Sequence, residues 1–474
     1  MTTIDRRTWP RLATIALVAI AARLPVFGDP VVHVDEEFYL VVAHAMWRGA
    51  VPFVDIWDRK PIGLFLLYMP AAALALPLAT YAYQAMALAS VVATAWLVAR
   101  LADRAGWRAG GTLAGIAYVL WLDPLGGVGG QAPVFYNLAM IGAASLIVAA
   151  EGHRRRRTLG VAAMALVGVA LQIKYSVVYE GIFFGLWLLA QEWRARSSPA
   201  ALLGTATILV AVALAPTAAA YAGYRAIGQG DAFVYANFLS ILHRNPDPLP
   251  EMLGNIGTLV LILSPIVAMA GAMRGAAVDE ERGTRRFLAI WLVVALLALA
   301  SFAPWFDHYG LPVLVPAATC AAAFLGRRRR AGIAILLVVA LAGQITVLVN
   351  RAARGDGRQF AALAAAVGSG PGCLYVYAGS TKLYIATGRC RVSRFVVPSH
   401  LNRAREAGAT GVDQLAEVRR ILAARPAVIV MRPPFRGERS DVRALVLAAV
   451  HRDYRLAATR PMGQEAIAVW TLSS

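Results

Sequence analysis

Residues 28–70 read GDPVVHVDEEFYLVVAHAMWRGAVPFVDIWDRKPIGLFLLYMP, and within them Asp35, Glu36, Glu37, Asp55 and Asp58 crowd into 24 residues between two apolar segments. Carboxylates are expensive beside a bilayer, so a cluster of them there points to function. Upstream, MTTIDRRTWPRLATIALVAIAARLPVFG has the basic start and apolar core of a secretion signal, but no small-x-small cleavage site follows. A retained first helix is expected. Downstream, apolar stretches of roughly 17–25 residues, enough to cross ~30 Å of hydrocarbon, recur as far as residue 349 and then stop.

Composition agrees with a membrane protein. Of 474 residues, 59% are hydrophobic and 15% charged, and the mean hydropathy is +0.60, far from an ordinary soluble domain. The net charge of +19 does not indicate nucleic acid, because most basic residues lie between apolar spans, as in the Arg154–Arg157 and Arg327–Arg330 runs.

Spans placed at about 10–28, 80–101, 111–124, 134–150, 158–174, 177–192, 200–223, 253–273, 287–304, 309–326 and 332–349 give about eleven helices. With the N-terminus inside, twenty basic residues, Arg6, Arg7 and Arg274 among them, fall on the cytoplasmic side. Only Arg23, Arg48, Arg59, Lys60, Lys174, Arg225 and Arg244 fall outside, as the retention of positive charge in the cytoplasm requires. Residues 62–77 are apolar but short for a span and are read as a juxtamembrane or partly inserted helix. Two long outer loops result, 29–79 and about 224–252, and loops of that length tend to be functional.

An odd number of spans puts the last stretch outside. There CLYVY at 373–377, AVIVM at 427–431 and AIAVWTL at 466–472 read as strands, and 411–425 and 440–452 as helices. The expected fold is therefore an all-α polytopic membrane protein over 1–349 with juxtamembrane helices, plus a small C-terminal α/β periplasmic domain over 350–474. That domain has 19 basic and 8 acidic residues, which suits either anionic headgroups or a plain soluble surface. It carries no Gly-rich phosphate loop and no zinc-spaced cysteines. Cys373 and Cys390 both lie in it, and a disulfide in an oxidising periplasm is expected, with two unrelated thiols as the alternative.

A carboxylate just outside the bilayer can act as general base on a hydroxyl, and a nearby cation can hold a phosphate leaving group. Asp35 and Lys60 supply that pair, with Glu36 and Asp58 as further catalytic candidates. Apolar spacing from Glu36 to Trp47 predicts a helix lying on the membrane with Asp35 at its N-terminus, where the helix dipole favours a carboxylate. The structural alternative for Asp35 is a helix N-cap. The chain has 43 Arg and 3 Lys, so each lysine stands out, although Lys60 at a membrane boundary also fits simple snorkelling. Lys174, near Tyr175 and Glu180, is a candidate at the edge of a span or half of an ion pair with Glu180. His308 and Tyr309 are candidates for the donor phosphate, against an interfacial aromatic belt. Gln131 and Asn137 are candidates for sugar or acceptor hydroxyls, and Arg23 and Arg244 more remote ones for phosphate. No His-Cys-acid cluster argues for a transition metal, and a divalent cation held by the first-loop acids is left open.

Asp35-Glu36, Gly49, Pro52-Phe53-Val54-Asp55 and Lys60-Pro61 together resemble the C-fold (GT-C) glycosyltransferases. More narrowly, they are similar to the branch of the protein O-mannosyltransferases and the lipid A aminoarabinose transferase. The resemblance covers about residues 20–70 and extends loosely to His308-Tyr309-Gly310-Leu311-Pro312. Two positions depart from the pattern: Ile62 follows Pro61, and Arg59 stands where an acidic residue is common. The resemblance implies a polyprenyl-phosphate-linked sugar donor, Asp35 as base, Lys60 on the donor phosphate, and inversion at the anomeric carbon; Arg59, beside Lys60, is a further candidate for that phosphate. It also implies a multi-pass protein of the bacterial inner membrane whose acceptor is a lipid A, another envelope glycan or a protein. A transporter or lipid flippase is the rival reading, although no internal repeat of the kind such proteins show is visible. A scaffold whose outer domain binds an envelope partner is a third.

Overall fold

The computed structural model describes residues 8–273 and 278–473, so Arg6, Arg7 and Arg274 of the charge count lie outside the described residues. A helix stands at each of the eleven expected stretches: Thr8–Arg23, Leu78–Arg104, Gly111–Leu122, Ala132–Ala150, Arg156–Leu171, Val178–Arg194, Pro199–Ala226, Leu249–Gly271, Asp279–Ala300, Leu314–Arg327 and Arg329–Arg354. Among the described residues, seven helices are long and apolar enough to cross a membrane, which makes this a multi-pass membrane protein. Gly111–Leu122, Leu314–Arg327 and the first-loop helix Ile62–Ala72 are apolar but shorter.

The chain divides into two compact units. The first comprises Met1–Pro25, Ala85–Ala219 and Pro248–Val347. With little hydrophobic drive between helices in lipid, small residues let backbones approach closely. An added Cβ at Gly115 would come within 2.7 Å of the Ala95 carbonyl oxygen, and one at Gly168 within 2.8 Å of that of Ala213. Phe183, Phe184, Trp187, Phe287 and Trp291 form one aromatic cluster, inside which Trp291 donates its indole N–H to Glu180 at 2.5 Å.

The second unit comprises Val26–Gln84, Ala220–Asp247 and Leu348–Ser474. Its last piece begins at Leu348, and the unit also takes in the first loop and residues 220–247. Four strands, β1 (Leu374–Val376), β2 (Val428–Met431), β3 (Tyr454–Met462) and β4 (Glu465–Leu472), make one sheet in the order β1-β2-β4-β3. The β1/β2 pair is parallel and the other two pairs are antiparallel. Helices Gln414–Ala423 and Ser440–Asp453 cover the sheet, bringing Val418, Ile421, Val442, Val446 and Val450 onto Tyr375, Ile429 and Met431. Trp57 of the first loop is part of this same core, and its backbone N–H donates to the Arg394 carbonyl at 2.9 Å. Sequence pattern missed only β3 among the strands, which has just its two end residues buried.

Cys373 and Cys390 are joined by a disulfide that closes a separation of 17 residues, while Cys320 is a buried free thiol. Closing a loop of this size contributes about 3 kcal/mol in the chain-entropy account. Alkylation of the native protein is expected to label no cysteine, denaturation without reductant to expose Cys320 alone, and denaturation with reductant to expose all three. Mass spectrometry reads the result, and a native label on Cys373 or Cys390 would contradict it.

Candidate active site

The helix Val34–Met46 sets the first-loop acids in place. Its cap is His33, whose Nδ1 accepts the Asp35 backbone N–H at 3.1 Å, so the capping role considered for Asp35 belongs to His33 instead. Asp35 is left in the first turn with its carboxylate at the positive end of the helix dipole. Nor does this helix offer one apolar face to lipid, as the spacing suggested. Phe38 through Ala43 are all buried, because apolar residues occupy every side of those turns.

Asp35 and Lys60 meet: Lys60 Nζ lies 3.9 Å from Asp35 Oδ1, and the two side chains are 28% and 29% exposed, the open edge of an otherwise closed group. Asp58 is buried and accepts the Lys60 backbone N–H at 2.8 Å and its ammonium at 3.4 Å. Burial works against charge on both, but each holds the other ionised: the Asp58 carboxyl stays well below the usual range and the Lys60 ammonium above its own. The Phe38 and Tyr39 rings each stand 5.4 Å from Lys60 Nζ. Tyr39 also hydrogen-bonds Asp35, and burial together with that carboxylate keeps its phenol protonated.

The other first-loop candidates take different places. Glu36 is fully buried beside Tyr83. Arg59, expected on the donor phosphate, turns its guanidinium onto Glu406, with two hydrogen bonds of 2.6 and 3.1 Å. Arg244 joins the same carboxylate at 3.0 Å. In the first unit, Lys174 Nζ lies 4.6 Å from the Tyr309 ring centroid, and His308 packs edge-on against Tyr309 at 4.9 Å. Asn137 spends its amide N–H groups on the Tyr118 hydroxyl and the Leu311 carbonyl, and Gln131 is buried at the start of the same helix. Arg23 donates to the Gly127 carbonyl at 3.3 Å. Among the described residues, no group of three or more His, Cys, Asp or Glu side chains is arranged to hold a metal ion.

Lys382 is the residue sequence reading passed over, although as the third of three lysines it carried the same signal as Lys60. It is fully buried, donating to the Pro30 carbonyl at 2.7 Å and the Tyr83 hydroxyl at 3.3 Å. Glu37 lies nearby and accepts the Ser380 hydroxyl. Burial pushes Glu37 up to about 7, against the pull of Lys382 and Ser380. Burial lowers Lys382, against Glu37, Glu36 and Asp29. The charge on each offsets part of the burial penalty on the other.

By its likeness to solved structures, the chain has the GT-C fold in its ArnT-like form. Of solved structures, it is similar to the ArnT of Cupriavidus metallidurans bound to undecaprenyl phosphate, with a TM-score of 0.61, 14% sequence identity and 97% of each chain covered. The apo state of that ArnT is similar at a TM-score of 0.61 and 15% identity, again over 97% of each chain. No protein-family model matches the chain, and no curated protein matches it by sequence.

Proposed function

We propose that this protein is an inverting glycosyltransferase that moves a sugar from a polyprenyl-phosphate donor to an acceptor hydroxyl at the periplasmic face of the bacterial inner membrane. The acceptor is a lipid A or lipopolysaccharide, another envelope glycan or a protein. The observation that carries this reading is the partly open Asp35–Lys60 pair at 3.9 Å. Asp35 takes the proton of the acceptor hydroxyl as its oxygen bonds to the anomeric carbon. The bond from that carbon to the phosphate oxygen breaks on the opposite face, so the centre inverts. Polyprenyl phosphate leaves with the bonding electron pair, its added negative charge met by the Lys60 ammonium. Asp58 keeps Lys60 charged for this, and Tyr39 orients the Asp35 carboxylate. The ArnT neighbour's undecaprenyl phosphate lends support to the donor class. Lys174, His308 and Tyr309 are further candidates for the donor phosphate, and Gln131 and Asn137 for sugar or acceptor hydroxyls. In this reading the C-terminal α/β region lies on the periplasmic side, with about eleven spans before it, as the distribution of basic residues suggests.

The test is purified protein in nanodiscs with a panel of radiolabelled undecaprenyl-phosphate sugars and a crude envelope fraction as acceptor. Label is expected to pass to the acceptor with stoichiometric release of undecaprenyl phosphate. Movement of the intact lipid between leaflets, with its glycosyl bond unbroken, would establish the flippase reading instead.

A further inference from the structure

One short stretch of the C-terminal region, residues 400–406, grips the Asp58-Arg59-Lys60 tripeptide at two points. His400, on the helix Ser399–Asn402, is buried, with Nε2 3.4 Å from Asp58 Oδ2 and its ring edge-on to Trp57 at 4.7 Å. Its Nδ1 is buried and has no hydrogen-bond partner among the described residues, which fits a neutral ring carrying its single proton on Nε2. Burial favours that neutral form. The imidazole thus donates to Asp58 without bringing a second positive charge to compete with Lys60. Six residues on, Glu406 takes both terminal nitrogens of Arg59, a planar fork that fixes direction as well as distance. Glu406 is itself anchored: Arg244 reaches it at 3.0 Å, and the neighbouring Arg405 pairs with Asp247 at 2.9 Å.

The consequence falls on Lys60. A lysine is a point charge on a flexible four-carbon stem, and it goes where its surroundings send it. Here its backbone N–H and its ammonium are both held by Asp58, and Asp58 is held from behind by His400. Without His400 and Glu406, the tripeptide is released at both points, and the ammonium is free to collapse onto Asp35. We propose that His400 and Glu406 are positioning residues, which through Asp58 and Arg59 hold the Lys60 ammonium where the lipid phosphate of the donor is received. This rests on the reading of Lys60 as the phosphate contact.

The experiment measures binding of undecaprenyl phosphate to the full-length protein in nanodiscs, for wild type, Lys60→Ala, His400→Ala, His400→Gln, Glu406→Gln and the double variant Lys60→Ala/His400→Ala. Outer partners of metal ligands change metal affinity by ~10–100-fold, and on the same scale His400→Ala and Glu406→Gln are each expected to weaken phosphate binding. His400→Gln, which places an amide N–H near the lost Nε2, is expected to recover most of it. In the Lys60→Ala background, the further loss from His400→Ala is expected to shrink to about twofold or less, because coupled residues do not add. A purely structural histidine would instead multiply its loss in both backgrounds, and that result overturns the proposal, as does His400→Ala binding like wild type. If Lys60→Ala itself binds like wild type, the phosphate role of Lys60 has failed and the positioning role fails with it, a pattern distinct from either of the others. Should His400→Ala lose its thermal transition, Glu406→Gln, alone and combined with Lys60→Ala, carries the same comparison.

Discussion

Asp35→Asn is expected to lower sugar transfer by roughly 10²–10⁴-fold, the range over which a positioned general base acts. The amide has the shape of the carboxylate and its oxygen still accepts the Tyr39 hydroxyl, so the local structure has little reason to change. What it cannot do is take a proton. Lys60, 3.9 Å away, also loses one of its two neutralising neighbours while keeping Asp58, so affinity for undecaprenyl phosphate is expected to hold or rise. The measurement is the initial rate at saturating donor beside a separate binding curve for undecaprenyl phosphate. A variant that keeps more than about a tenth of the wild-type rate would remove Asp35 from the role of base.

Lys382→Met is expected to be the most destabilising of the single changes considered. The methionine fills much the same space but removes the ammonium that donates to the Pro30 carbonyl and offsets the buried Glu37 and Glu36. Leaving a buried charge without the opposite charge that offsets it costs up to about 3–5 kcal/mol, a large share of any protein's stability. The double variant Lys382→Met/Glu37→Gln is expected to regain most of that, since the glutamine accepts the Ser380 hydroxyl without charge. Glu37 also gives stability a pH dependence. Its folded-state pKa of about 7 lies above the ordinary glutamate value, so the folded state binds the proton more tightly than the unfolded chain. That contribution is full below the ordinary glutamate value and is lost as pH rises through about 7. Thermal unfolding in detergent across this window reads both effects. A melting profile that Glu37→Gln leaves just as steep would show that Glu37 is not its source.

Much of the helical fold was legible because membrane spans announce themselves by length and apolarity, and a helix stands at every stretch so marked. Strands β1, β2 and β4 were legible as short apolar runs. β3 was not, because YRLAATRPM lies at the sheet edge with only Tyr454 and Met462 buried and has no apolar alternation. At the site, Asp35 and Lys60 stood out by carboxylate density and by the rarity of lysine. Their supports were invisible for a physical reason: Arg59 and its partner Glu406 are 347 residues apart, and Glu37 and Ser380 are 343 apart. Contacts at that separation leave no periodicity or spacing to read. The same distance explains why Arg59 was placed on the phosphate, since nothing near it in the chain told of the carboxylate that claims it.

Trp57, a first-loop residue packed in the core of the C-terminal sheet, has a bearing on how the protein is made. Synthesis runs from the N-terminus, so the first loop leaves the ribosome more than 300 residues before Tyr375, Ile429 and the rest of the surface that buries Trp57. Until then the indole, the acids around it and Lys60 have no partners from the last quarter of the chain. A nascent or prematurely terminated chain can thread its helices into the bilayer, yet it lacks the groups that close around the loop. The unit completes itself only once strand β4 has been made, and no product that stops short of it carries the finished core around Trp57.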